Sequence, residues 1–170
     1  MRVYHGSTVI VDAPLVGAGR RNLDFGLGFY VTDLEQQAVS WATRPFNSGR
    51  PGILNRYDLD IEAIISKGYH YKKYESYDAE WLDFVVSNRR GGTIWQKYDI
   101  IEGGIANDRV FNTIELYEAN LISKEEALDR LKYEKPNNQI CILNQEIVDN
   151  HLQFIDSSYR KGGTAWLRIR

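Results

Sequence analysis

Phe25-Gly26-Leu27-Gly28-Phe29-Tyr30-Val31-Thr32 is the stretch from which the rest of the chain is read. Two glycines, one residue apart, lead into an aromatic and β-branched run, which predicts a tight glycine-permitted entry into a strand. Asp33 follows as a helix N-cap with Gln36 in capping-box register, and the helix is expected to pass through Ala38, Val39 and Trp41 and end near Pro45. Upstream lies a glycine- and arginine-rich loop over residues 17–22. Before it, Met1–Tyr4 reads as a short strand running into His5-Gly6-Ser7.

Beyond the turn at 47–52, Ile53–Leu59 reads as strand and Tyr98–Ile105 as strand ending in a glycine turn. Asp78–Val86 fits a helix with Trp81, Leu82, Val85 and Val86 on one face and a stop at Gly91-Gly92. Residues 112–119 read as helix, and Ser123 with Glu126 opens another that runs to about Leu131. Gln139–Leu143 reads as strand, Asn144–Val148 as the start of a short helix, and His151–Ile155 as a last strand. Tyr69–Tyr77 has no clean period and is expected to be a loop. Short strands and helices interleaved irregularly predict an α+β fold in one domain, residues 1–157. Residues 158–170 are left as a basic tail or last strand, carrying Arg160, Lys161, Arg168 and Arg170 and no acid.

Composition narrows the function classes. With 43% hydrophobic and 26% charged residues the chain is of ordinary globular type, and it is long enough to bury a core without covalent staples. The single cysteine, Cys141, cannot form an internal disulfide, which suits a reducing compartment; with no signal-type or membrane-spanning apolar run, a cytoplasmic location and no membrane partner are expected. A net charge of −2 excludes a global field that would recruit nucleic acid, although Arg20, Arg21, Arg89 and Arg90 form a local basic rim. His5, His70 and His151 are too scattered for a local metal signature, so no metal is expected. Walker-type, Gly-x-Ser-x-Gly and Gly-x-Gly-x-x-Gly patterns are absent, which argues against a P-loop enzyme, an α/β-hydrolase and a Rossmann dehydrogenase.

Two segments remain, Tyr4-His5-Gly6-Ser7 and the Phe25–Thr32 stretch. Each has a plain structural explanation: a strand-end histidine bonded to backbone, glycines easing a turn, a tyrosine in the core. Together and in this order they resemble the ADP-ribosyltransferase superfamily, in the branch running from diphtheria toxin to the poly-ADP-ribose polymerases. With Gln37-Ala38, Trp81-Leu82-Asp83-Phe84, Asn88-Arg89, Tyr98-Asp99 and Asn138-Gln139, the chain from Tyr4 to about Phe154 also resembles an uncharacterised bacterial family assigned to that superfamily.

The resemblance implies a split antiparallel β-sheet with short helices around a cleft for NAD, the co-substrate, whose nicotinamide–ribose bond is broken. It implies that His5 bonds a ribose hydroxyl, that Gly6 offers its backbone to the carboxamide, and that Tyr30 stacks on the nicotinamide ring. Ser7 and Thr32 would be supporting hydroxyls, Phe25 and Gly28 would help to form the NAD site, and Gln139 would stand where the family places a glutamate, with Glu146 as second choice. Arg89 is a candidate for the pyrophosphate, and Arg109 another; Asp108 could position the acceptor. For these three, surface ion pairs and loop caps are equally good readings. Tyr69-His70-Tyr71 and Tyr74 could form a flap over the cleft.

The implied activity is mono-ADP-ribosyl transfer to a protein or nucleic-acid acceptor, in a toxin of a toxin–antitoxin or phage-defence locus with a cognate antitoxin. The alternatives are an NAD glycohydrolase and a non-catalytic module that binds NAD or nucleic acid.

Overall fold

The computed structural model describes residues 1–44, 47, 49–104, 108–134, 136–160 and 166–169. Over these residues the chain is α+β, with eight strands in two four-stranded sheets and six α-helices. The first sheet has the order β1-β3-β7-β8, formed by Arg2–Ser7, Gly52–Leu59, Leu152–Arg160 and Trp166–Ile169, all antiparallel. The second has the order β2-β6-β5-β4, formed by Phe29–Val31, Asn138–Ile142, Ile100–Gly104 and Tyr71–Lys73.

The second sheet is mixed rather than antiparallel throughout, because β4 runs parallel to β5. β4 falls in the stretch expected to be a loop, and no flap forms there. Asp99 donates its N–H to the His70 carbonyl at 2.9 Å and Tyr74 donates its N–H to the Glu102 carbonyl at 2.8 Å, so the segment is bonded to the sheet at both ends. Tyr74 is buried. Three residues are too few for a period to show, and their polar side chains hide an edge strand. β7 runs through the 157/158 division, and β8 pairs with it from Ser157 to Arg160.

The helices are α1 (Glu35–Ala42), α2 (Ile61–Ser66), α3 (Ala79–Arg89), α4 (Asp108–Glu118), α5 (Lys124–Leu131) and α6 (Gln145–His151). α2 was not expected; Asp60 caps it by accepting the Ala63 N–H at 3.0 Å. The expected cap of α5 is present, with Ser123 accepting the Glu126 N–H at 3.1 Å; Asp78, read as the first helical residue, instead caps α3 by accepting the Trp81 N–H at 2.9 Å. Asp33 does not cap α1. Thr32, pinned by donating to the Asn138 carbonyl at 2.6 Å, accepts the Leu34 N–H at 3.1 Å, and the helix begins beyond Leu34. A hydroxyl already fixed to the sheet pre-empts the free carboxylate one residue on.

Three apolar clusters hold these elements. One face of the second sheet packs Ile101 and Cys141 against Trp81, Leu82 and Val85 of α3 and Val110 and Ile114 of α4, together with Phe25. Val31, Ile140 and Ile142 on the opposite face meet Val3, Tyr57 and Leu59 of the first sheet, closed by Ile64, Ile147 and Val148 of α2 and α6. A small third cluster sets Ala38 and Val39 of α1 on Leu54. Each large side chain fully buried in this way contributes about 1.5–3 kcal/mol.

Candidate functional site

The two sheets meet at one bridge. Tyr4 donates its N–H to the Thr32 carbonyl at 2.8 Å and accepts the Thr32 N–H at 3.0 Å, joining β1 to the end of β2. Backbone groups two residues apart on a strand point to the same edge. Gly6 on β1 and Tyr30 on β2 therefore turn their N–H and C=O toward one another across the split, past the point where pairing stops.

His5 spans that gap. Its Nδ1 lies 2.7 Å from the Tyr30 carbonyl, which can only accept, so the proton is on Nδ1, and Nε2 of the neutral ring has no hydrogen-bond partner among the described residues. Burial pulls the His5 pKa below the ordinary 6.5, and the bond to Tyr30 offsets this only in part. The backbone-bonded strand-end histidine of the plain reading is thus present, with its second nitrogen unspent.

Gly6 has a structural reason of its own. A Cβ there would lie 1.8 Å from the Ala38 carbonyl oxygen and 2.7 Å from the Ala42 nitrogen, so the α1 backbone rests directly on it. Gly28 is equally constrained, since a Cβ would come within 2.5 Å of Cys141 Sγ. Gly26 has φ +93°, and its missing side chain leaves room for the Trp95 ring. Phe25 is fully buried, so it supports the loop from the core rather than facing a ligand.

Tyr30 is half-buried, and its hydroxyl accepts the Phe25 N–H at 3.1 Å while donating to the Gly26 carbonyl at 2.8 Å. Burial raises its pKa well above the usual tyrosine value, with the Cys141 thiol and the Asp24 charge adding to the effect. Tyr30 pairs with Cys141 on β6, so Gln139, two residues earlier, shares its face of the sheet. Gln139 is buried, with Nε2 donating to the Gly104 carbonyl at 3.4 Å.

The structure therefore brings His5, Gly6, Tyr30, Thr32 and Gln139 to one junction from three separated stretches of sequence. Ser7 ends β1, where it accepts the Val9 N–H at 3.3 Å. Glu146 is not at the junction. It is exposed on α6, beside Tyr69, whose pKa it helps to raise after the larger effect of desolvation. Arg89 is engaged elsewhere, with Nε donating to Asp24 at 2.7 Å and the guanidinium 4.7 Å from the centre of the Phe111 ring. Arg20, Arg21 and Arg90 are exposed. Arg109 lies 3.8 Å from Glu134; the Asp108 side chain falls outside the described residues.

Sequence reasoning missed two supporting groups, Asn55 and Glu102, and the part played by Asn88. Asn55, fully buried on β3, donates to the His5 carbonyl at 3.4 Å and the Val9 carbonyl at 3.3 Å and accepts the Val11 N–H at 3.0 Å, pinning the turn after β1. Among the polar residues of β3, Asn55, Arg56 and Asp58, nothing in the sequence marks Asn55 as the buried one. Asn88 donates to the Asp24 carbonyl at 2.9 Å. Glu102, also buried, accepts from the Tyr71 hydroxyl and from Asn138 at 3.0 Å, with Lys73 at 3.5 Å, and so steadies the strand start beside Gln139.

A cavity of about 580 Å³ lies elsewhere, between the start of α3 and α5, with Tyr77, Asp78, Leu128, Asp129 and Lys132 in its wall. None of the junction residues lines it. Among the described residues, no group of three or more His, Cys, Asp or Glu could hold a metal ion, and no helix is long and apolar enough to cross a membrane.

Neither the curated proteins nor the solved structures include a match to this chain. A family model does match, covering residues 1–154 and described as a protein of unknown function (DUF3990). That span includes the whole junction from Tyr4 to Gln139, and the chain belongs to this family.

Proposed function

We propose that the chain is an NAD-dependent ADP-ribosyltransferase that holds NAD where β1 and β2 part and passes its ADP-ribose to a macromolecular acceptor. The observation that carries this reading is the junction itself. The strands that meet there carry a backbone donor and acceptor at Gly6, a fixed aromatic ring at Tyr30, a neutral histidine at His5 and, one strand further in, a buried amide at Gln139.

The chemistry fits these groups. A primary carboxamide needs one donor and one acceptor side by side, which an unpaired strand residue supplies through its N–H and C=O. Tyr30, with its hydroxyl bonded on both sides, offers a ring whose orientation is set before the cationic nicotinamide arrives. Nε2 of neutral His5 accepts a hydrogen bond from a ribose hydroxyl and so orients the sugar. When the C1′–N bond breaks, its electron pair leaves with nicotinamide as a neutral base, so no general acid is required. Positive charge grows on the ribose. Gln139 meets it with an amide dipole rather than a full charge, and preorganisation of such dipoles is the main catalytic resource of the site. The acceptor nucleophile then bonds C1′ and releases its proton to solvent.

The test is incubation of the purified chain with NAD labelled in its adenylate half and a whole-cell lysate, with protein and nucleic-acid fractions counted separately. Label in one fraction, lost in His5→Ala, supports transfer and gives the acceptor class. Free nicotinamide without attached label replaces transfer by hydrolysis of NAD. Absence of both leaves the binding-module alternative and overturns the enzyme reading.

A further inference from the structure

Asp24-Phe25-Gly26 is bonded at nearly every backbone polar group. The Asp24 carbonyl accepts from Asn88 at 2.9 Å, the Phe25 N–H goes to the Tyr30 hydroxyl at 3.1 Å, and the Phe25 carbonyl faces the Cys141 thiol at 3.7 Å. The Gly26 N–H reaches the Leu23 carbonyl at 3.2 Å, and the Gly26 carbonyl accepts the Tyr30 O–H at 2.8 Å. Arg89 adds a charged bond at 2.7 Å between side chains that are each only 14% exposed. Its guanidinium also lies against Phe111 of α4. Two neighbouring residues in the last turn of α3 thus grip one residue of the loop, Asn88 by its main chain and Arg89 by its side chain.

We propose that Asn88 and Arg89 are positioning residues, a clamp that holds the Asp24–Gly26 loop as the fixed support of the Tyr30 ring. The alternative role for Arg89, a contact to nucleotide phosphate, would require it to leave Asp24. Asn88 shows the same commitment. Its Oδ1 is buried and has no partner among the described residues, so the side chain bears a desolvation penalty while its amide serves the Asp24 bond. Partly buried ion pairs with a fixed Arg–carboxylate bond and a stacked ring are the kind that set geometry rather than decorate a surface. The clamp bears on catalysis only through the NAD-cleft reading above, but its effect on the loop is independent of that reading.

Amide hydrogen exchange of Phe25 and Gly26, measured without ligand, separates the two. Arg89→Met removes the charged bond together with the guanidinium's contact with Phe111; Asp24→Asn weakens the charged bond alone, from the other side. Exchange at both amides should rise about tenfold or more in each variant, and no further when Asp24→Asn is added to Arg89→Met, because the charged bond is then already broken. NAD cleavage should show a lower kcat with KM little changed, as for a misoriented platform. Unchanged exchange in Arg89→Met, with KM for NAD raised and made salt-sensitive, would overturn the clamp in favour of a phosphate contact. If Arg89→Met does not fold, Arg89→Lys carries the comparison, since it keeps the charge and loses the guanidinium geometry. A chain that does not act on NAD at all would still give the exchange result, so the functional reading would fail without the clamp.

Discussion

Replacing Gly6 by alanine puts the packing beneath the proposed cleft to a quantitative test. The new Cβ would stand 1.8 Å from the Ala38 carbonyl oxygen, and 2.7 Å from the Ala42 nitrogen, both of them backbone. Carbon and carbonyl oxygen meet at roughly 3.3 Å, so α1 would have to lift by roughly 1.5 Å. That movement loosens Ala38, Val39 and Ala42, the buried residues of α1. Overpacking costs about 1–3 kcal/mol, and obstruction by backbone rather than by a pliable side chain puts this case at the upper end. Stiffening of the unfolded chain by alanine returns about 0.4–1 kcal/mol, which leaves a net loss of about 2 kcal/mol. Urea unfolding followed by tryptophan fluorescence should show the midpoint falling by about 1 M, for a slope of about 2 kcal/mol per M. Gly52→Ala is the control, since its Cβ would sit 3.2 Å from the Ala42 carbonyl oxygen and need only a slight adjustment; it should stay within about 0.5 kcal/mol of the parent. A Gly6→Ala protein as stable as Gly52→Ala would refute the seating of α1 on β1.

His5 takes up its proton at lower pH when folded than when unfolded, so protonation opposes folding. Its stabilising contribution is complete above the ordinary value of 6.5 and is lost as pH falls below it toward the folded value, so the parent should lose more stability than His5→Asn on acidification through that range; equal losses in calorimetric scans would contradict the neutral, buried ring. Asp78→Ala should cost about 1 kcal/mol by chemical denaturation through loss of the α3 cap, and Asp78→Ser much less. Cys141 is fully buried and its pKa is pushed far above the thiol range, so aromatic disulfide reagents should label it only as fast as the protein opens; rapid labelling of the native protein would argue against the packing of β6 under Gly28.

Most of the fold could be read along the chain because the long elements carry their own periods and caps. Ser123 with Glu126 announces α5, the shared face of Trp81, Leu82, Val85 and Val86 announces α3, and the run from Phe25 to Thr32 announces β2. Elements that failed to show were those defined by partners rather than by pattern. β4 is three residues placed by the edge of β5, and α2 is six residues capped by Asp60 in a stretch with no amphipathic repeat. The start of α1 does not show locally because the Thr32 hydroxyl is tied to Asn138, a residue 106 positions away, and no local rule sees that bond. For the junction, the residue types at 5, 6, 30 and 139 were legible and their convergence was not. Nor could the sequence separate Gln139 from Glu146, which alternation along β6 and the turn into α6 send to different sides of the second sheet. The glycines are instructive in the same way, since Gly6 and Gly28 answer to α1 and Cys141 before they answer to any ligand.

The most direct test of the central claim is a backbone-amide NMR titration with NAD in which the nicotinamide signals are followed in the same tube. The account predicts saturable shifts at Gly6, Ser7, Tyr30, Val31 and Gln139, no shifts at Ala79 and Leu128 beside the separate cavity, and free nicotinamide accumulating with time. Shifts confined to that cavity, or none at millimolar NAD with the nucleotide left intact, would contradict it.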